Sequence, residues 1–264
     1  MKRTLLFTGL VLAALNGDAQ LYLSTGYAAG IPRRDMGKNI PAIHFFTAGA
    51  SWHLPGRLKA VELNTDLGYG LYGNTRLMQT FTFNNGTSTE TFVNYNSSAA
   101  LAAMGLRYHF FPRKNISPYL GVRAGYMELF SSIYVEDPRD PFGCRALDNE
   151  TIISDGNWFR SWNTGLKLDW HLFGKKTRKR FGWIDIGVQQ TNGGALQYIN
   201  TKRLKDANAS AAGNHTSLDM RFINASTQDI HEHKVAEVYK TPIRMLEFRI
   251  SAVFSFNVFK QSSY

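Results

Sequence analysis

Leu246-Glu247-Phe248-Arg249-Ile250-Ser251-Ala252-Val253-Phe254-Ser255-Phe256-Asn257-Val258 alternates with a period of two. Leu246, Phe248, Ile250, Ala252, Phe254, Phe256 and Val258 share one parity. Glu247, Arg249, Ser251, Ser255 and Asn257 share the other, with Val253 its one apolar member. Successive side chains of a strand point to opposite faces, so this segment reads as a strand with an apolar side and a charged side.

The pattern recurs upstream. Val61, Leu63, Thr65, Leu67, Tyr69 and Leu71 alternate with Glu62, Asn64, Asp66, Gly68 and Gly70, and Trp162, Leu166, Leu168 and Trp170 alternate with Asn163, Lys167 and Asp169. A soluble β-sandwich also alternates, so the position of the charges decides. Glu62, Asp66, Arg107, Arg123, Lys167, Asp169, Asp185, Glu247 and Arg249 all fall mid-strand on the polar parity. A closed barrel with its apolar side in lipid must turn such groups into the lumen, because hydrocarbon cannot solvate them. These nine residues are the expected lumen polar network.

A weak internal repeat counts the strands. Trp52-His53-Leu54-Pro55-Gly56-Arg57 is echoed by Tyr108-His109-Phe110-Phe111-Pro112-Arg113 and by Trp170-His171-Leu172-Phe173-Gly174-Lys175, and Phe256-Asn257-Val258-Phe259-Lys260 is a degenerate fourth copy. Each copy ends an alternating stretch. Upward strands start near Leu21, Leu58, Tyr119 and Gly182, and downward strands run over 42–54, 97–111, 159–173 and 244–259. Connections on the corner side are short (55–57, 112–117, 174–181), and those on the other side are long (30–41, 74–96, 134–158, 200–243). Short turns at one rim and long loops at the other mark an outer-membrane barrel. The expected fold is an all-β, eight-stranded antiparallel up-and-down transmembrane β-barrel. Trp52, Tyr108, Trp170 and Phe256, alike in parity and height, are the expected periplasmic aromatic girdle.

The N-terminus reads as an export signal over 1–19: Lys2 and Arg3, an apolar core from Leu5 to Leu15, and small residues at Gly17 and Ala19. The barrel then occupies 20–264. No later apolar run is long enough for a transmembrane helix. Cys144 is the single cysteine, so an internal disulfide is excluded. The formal net charge of +10 is concentrated at the corners, in Arg57, Lys59, Arg113, Lys114, Lys175, Lys176, Arg178, Lys179 and Arg180. In an exported barrel these residues anchor to anionic lipid headgroups, and nucleic acid is not an expected partner.

The export signal, the immediate entry into a strand, four hairpins and a Phe-rich final strand together resemble the small OmpA-type and porin-like outer-membrane barrel families. Phe254, Phe256 and Tyr264 match the aromatic end signal of those families, although Lys260 to Ser263 extend past it. The resemblance implies that the insertion machinery reads the last strand, and it implies a place in the cell outer membrane among outer-membrane lipids.

Gln189-Gln190-Thr191-Asn192-Gly193-Gly194 resembles the His-x-Ser-Asn-Gly segment of lipid A deacylases. That chemistry needs an imidazole base beside a hydroxyl nucleophile. Gln189 stands in the place of the base and cannot take a proton, and Thr191 stands in the place of the nucleophile. The chain is therefore read as non-enzymatic. His53, His109 and His171 point inward at the corner rim and read as polar plugs. His231 and His233, with His215, have a metal-compatible spacing, but no Cys or carboxylate completes a set. No metal and no cofactor is expected. The expected role is a membrane anchor whose loops 134–158 and 200–243 bind an extracellular ligand or an envelope partner. A narrow pore is the first alternative, and an inactive deacylase-like barrel is the second.

Overall fold

The computed structural model describes residues 21–82, 86, 88–112, 114–137, 146–170, 182–202, 204, 216–223 and 230–256. The expected signal segment, Cys144, His171, His215, Arg113 and the 174–181 turn with its basic residues lie outside the described residues.

The strands are β1 (Leu21–Pro32), β2 (Ile43–His53), β3 (Val61–Thr82), β4 (Ser88–His109), β5 (Ile116–Glu136), β6 (Ala146–Asp169), β7 (Gly182–Ile199), β8 (Thr216–Ile223) and β9 (Ile230–Phe256), with a short helix α1 (Arg34–Asn39) between β1 and β2. Neighbours from β1 to β7 pair antiparallel, β7 pairs with β9, and β9 returns to β1 with Leu21 opposite Phe256. Eight strands thus close an up-and-down barrel, and β8 adds a short ninth strand to the outer part of β9. Closure removes the sheet edges that hydrocarbon could not satisfy.

The outer surface carries the apolar parity. Leu23, Phe46, Leu67, Met104, Leu106, Leu120, Val122, Trp162, Leu166, Ile186, Phe248, Ile250 and Phe254 are all exposed. Val253, the apolar residue on the charged parity of the last strand, faces inward and packs with Tyr22 and Trp183.

The expectation of long outer loops needs correction. Most of 74–96 continues β3 and β4, which stay paired out to Thr82 and Ser88. Much of 134–158 belongs to β5 and β6, and 200–243 contains β8 and the first half of β9. A transmembrane strand needs about 9–11 residues. β1 and β2 have 12 and 11, whereas β3, β4, β5, β6 and β9 have 22, 22, 21, 24 and 27. The extra length stands above the lipid. It reads as loop in the sequence because its outer face meets water, so Arg76, Thr80, Glu90 and Asn96 replace the apolar parity. Thr, Phe and Tyr in 75–95 keep their preference for the pleated backbone all the same.

Candidate functional site

The interior is filled in layers from the corner rim upward. At the rim, Tyr22, Trp183 and Val253 form a small cluster. The ring of His53 meets Tyr22 edge-on at 5.5 Å and lies 5.2 Å from the ring of His109. Lys167 lays its ammonium 3.3 Å from the Trp183 centroid and 3.2 Å from His53 Nε2. Sequence reasoning missed Tyr22, Trp183 and Tyr119 as lumen residues, although Trp183 shares the parity of Asp185 and Tyr119 that of Arg123.

The second layer holds the charges. Glu62 and Arg107 are direct cross-strand partners. Arg107 Nη1 lies 3.3 Å from Glu62 Oε1 and 2.7 Å from Asp185 Oδ2. The hydroxyl of Tyr119 donates to Asp185 Oδ1 at 2.6 Å. One step higher, Asp66 receives Arg249 and, at 3.3 Å, Arg123. Arg123 also reaches Glu247 at 3.8 Å and donates to Gln189. Of the nine expected lumen residues, eight are buried and Lys167 is half-buried. The space left among Glu62, Asp66, Arg107, Asp185 and Arg249 is about 10 Å³, room for roughly one water.

Two glycines make this density possible. A Cβ on Gly105 would stand 2.5 Å from Arg123 Cγ, and one on Gly121 would stand 2.5 Å from Asn163 Oδ1 and 2.9 Å from Arg107 Cγ. The arginine stems occupy the volume those side chains would need.

The third layer is apolar. Met36 and Ile40 of the α1 segment drop into the barrel against Ile43, Phe45, Tyr72, Leu101, Met127, Leu129, Phe159, Leu196, Ile243 and Met245. Lys202 ties this plug to the end of β7 by donating its backbone N–H to Asn39 O at 3.2 Å and its ammonium to Gly37 O. Above it, Val93, Tyr95, Ile133, Val135 and Ile199 form a further cluster inside the strand extensions. Sequence reasoning had no signal for the plug, because a six-residue helix buries only two or three side chains.

Gln189 and Thr191 are both buried in the lumen, and Gln189 Nε2 donates to Thr191 Oγ1 at 3.0 Å. Among the described residues no imidazole is recorded as a hydrogen-bond partner of Thr191. In the outer extension, Arg76 grips Glu136 with bonds of 3.0 and 2.6 Å and Asn94 adds one of 2.7 Å. These donors hold the Glu136 carboxyl below the usual range. Asp155 accepts from Gly156 N and Gln197 N at 2.8 and 2.7 Å. Two of the acids of the 134–158 segment are therefore structural.

Aromatic residues stand at two levels of the outer surface. At the corner rim Trp52 and Trp170 are half-buried, Tyr108 is exposed, and Phe256 ends β9 opposite Leu21. An outer ring, not anticipated from the sequence, comprises Tyr27, Phe46, Tyr69, Tyr126 and Trp158, with Tyr126 and Trp158 in contact at 5.6 Å. Val61 lies opposite Tyr108, so Tyr69 stands eight residues above that level along β3. This is roughly 20 Å of height for a strand tilted by about 40°, close to the ~25 Å apolar band of outer-membrane barrels.

No protein-family model matches the sequence, and no curated protein does. Three solved structures are similar over 91% of this chain at 11% identity: Neisserial surface protein A (98% of that chain, TM-score 0.39), Ail, the attachment invasion locus protein of Yersinia pestis (100%, 0.40), and a major outer membrane protein from Thermus thermophilus (100%, 0.42). By its closed strands, apolar belt and inward charges, this chain is an outer-membrane β-barrel protein.

Proposed function

We propose that the protein is a non-conducting, non-enzymatic membrane anchor that holds a β-sheet platform outside the cell for a ligand or an envelope partner. One observation carries this reading. The lumen is filled with side chains from the corner rim to the α1 plug, while five strands run about ten residues beyond what crossing the membrane requires. A barrel built for passage would leave a wet path, and this one places its surplus structure outside. The platform presents Arg76, Met78, Thr80 and Glu90 on its outer face and has its own apolar filling, which suits it to rigid recognition. Against enzymatic use, the deacylase-like segment has Gln189 in the place of a base and a buried hydroxyl.

The experiment replaces 203–236 with a short Gly-Ser turn between Lys202 and Glu237, where Asn200 N already bonds Glu237 O at 3.3 Å. The barrel pairs of β7 with β9 from Ile199 and Val238 downward remain. The variant should keep the heat-dependent gel shift of a closed barrel and lose the binding or envelope phenotype that the full-length chain restores to a deletion strain. Full complementation by the shortened barrel would exclude 203–236 as the binding segment and locate the function in the β3–β6 extensions, the barrel or its periplasmic turns.

A further inference from the structure

At the corner rim two histidines converge on one of the lumen carboxylates. His53 Nε2 and His109 Nε2 both face the same oxygen of Glu62, Oε2, at 3.3 and 3.0 Å. The three ligand atoms lie within 4.8 Å of one another. At zinc–ligand bonds of about 2.0–2.1 Å, two corners of a tetrahedron lie about 3.3 Å apart, so the two distances to Oε2 are those of ligands around one small cation, and the two imidazoles, within 4.8 Å of each other, are near enough to close on it.

The surroundings orient the atoms accordingly. Glu62 Oε1 is held by Arg107 at 3.3 Å, which leaves Oε2 for the imidazoles. An ammonium has donors and no acceptor, so the 3.2 Å contact between Lys167 Nζ and His53 Nε2 makes that nitrogen the acceptor. An imidazole lone pair therefore stands 3.3 Å from a carboxylate oxygen. Two acceptors at that distance repel unless a cation lies beside them. Lys167 is that cation in this structure, on a flexible stem over Trp183. His53 is the most open of the three, with 15% of its side chain exposed at the rim, against 1% for Glu62 and His109.

We propose that His53, His109 and Glu62 form a binding site for a borderline transition-metal dication of the zinc class, open to the periplasmic rim, with Lys167 as the resident cation that the metal displaces. Two imidazoles and one carboxylate suit zinc, and they leave the fourth position to water. The ion would tie β2, β3 and β4 together at the end of the barrel where the strands enter the periplasm.

The test uses untagged, refolded full-length barrel in detergent, in a Cys144→Ser background so that the thiol takes no metal. Zinc alone is titrated by calorimetry, and cobalt is followed by its visible absorption and by quenching of tryptophan emission, with Trp183 the tryptophan nearest the site. One zinc per barrel should bind with micromolar or tighter affinity. His53→Ala leaves the Glu62–Arg107 pair intact; it should weaken binding at least tenfold and abolish the quenching. Lys167→Met should tighten binding about tenfold, an effect that metal held by the other histidines would not show. Retention of the heat-dependent gel shift establishes that each variant is folded. Absence of binding by the folded parent, or binding that His53→Ala and Lys167→Met leave unchanged, would overturn the site and leave the anchor reading untouched.

Discussion

Arg107 on β4 faces Glu62 on β3 as its direct cross-strand neighbour, yet its guanidinium spans the lumen to lie closer to Asp185 on β7, at 2.7 Å against 3.3 Å. One cation thereby joins two walls of the barrel. Its stem passes over Gly121, where no Cβ stands in the way. Arg123 and Arg249 do the same one level higher by converging on Asp66. The interior is cross-linked by ions that water barely reaches.

Removing one partner of such a network strands the others. Arg107→Ala should destabilise the barrel by about 3–5 kcal/mol, because Glu62 and Asp185 are left buried without their counter-ion. Arg76→Ala breaks a bidentate pair whose arginine is 53% exposed, and should cost less than about 1 kcal/mol. Reversible urea unfolding in lipid vesicles measures both. Equal losses would show that the lumen ions are solvated.

Gly121→Ala tests the packing separately from the charge. The added Cβ would stand 2.6 Å from the Leu106 carbonyl oxygen and 2.5 Å from Asn163 Oδ1, so backbone must shift. Overpacking of this kind costs about 1–3 kcal/mol. A neutral substitution in the same unfolding assay would mean that the lumen is looser than described.

The barrel and its polarity were legible in the sequence because lipid imposes a hard rule on parity, and Glu247 and Arg249 could only face inward. The outer halves of β3 to β6 were not legible. Above the lipid both faces of a strand tolerate polar residues, so Asn74, Thr75 and Arg76 look like loop while their backbone remains paired. The His53–Glu62–His109 group was half visible. The two histidines recur at the same corner position, but Glu62 comes from the next strand and meets them only through the register that sets it opposite His53.

Orientation follows from the unequal rims. In a Cys144→Ser background, Met78→Cys at an exposed site on the β3 extension should react with a membrane-impermeant thiol reagent on intact cells. Lys114→Cys at the corner turn should react only after the outer membrane is broken. The reverse pattern would invert the barrel.

Conductance should be absent. The α1 plug with Met36 and Ile40, the ion layer and the rim aromatics succeed one another along the axis, and eight strands enclose little more than their own side chains. Purified protein in a planar bilayer should give no large steady current, and reproducible porin-sized currents would replace the anchor with a pore.

The most direct test of the account is gel migration of the protein from isolated outer membranes, with and without boiling. A closed, ion-linked barrel should fractionate with the outer membrane, survive a high-salt wash and run at a different position when left unboiled. Release by salt, or identical migration of boiled and unboiled samples, would contradict the membrane barrel.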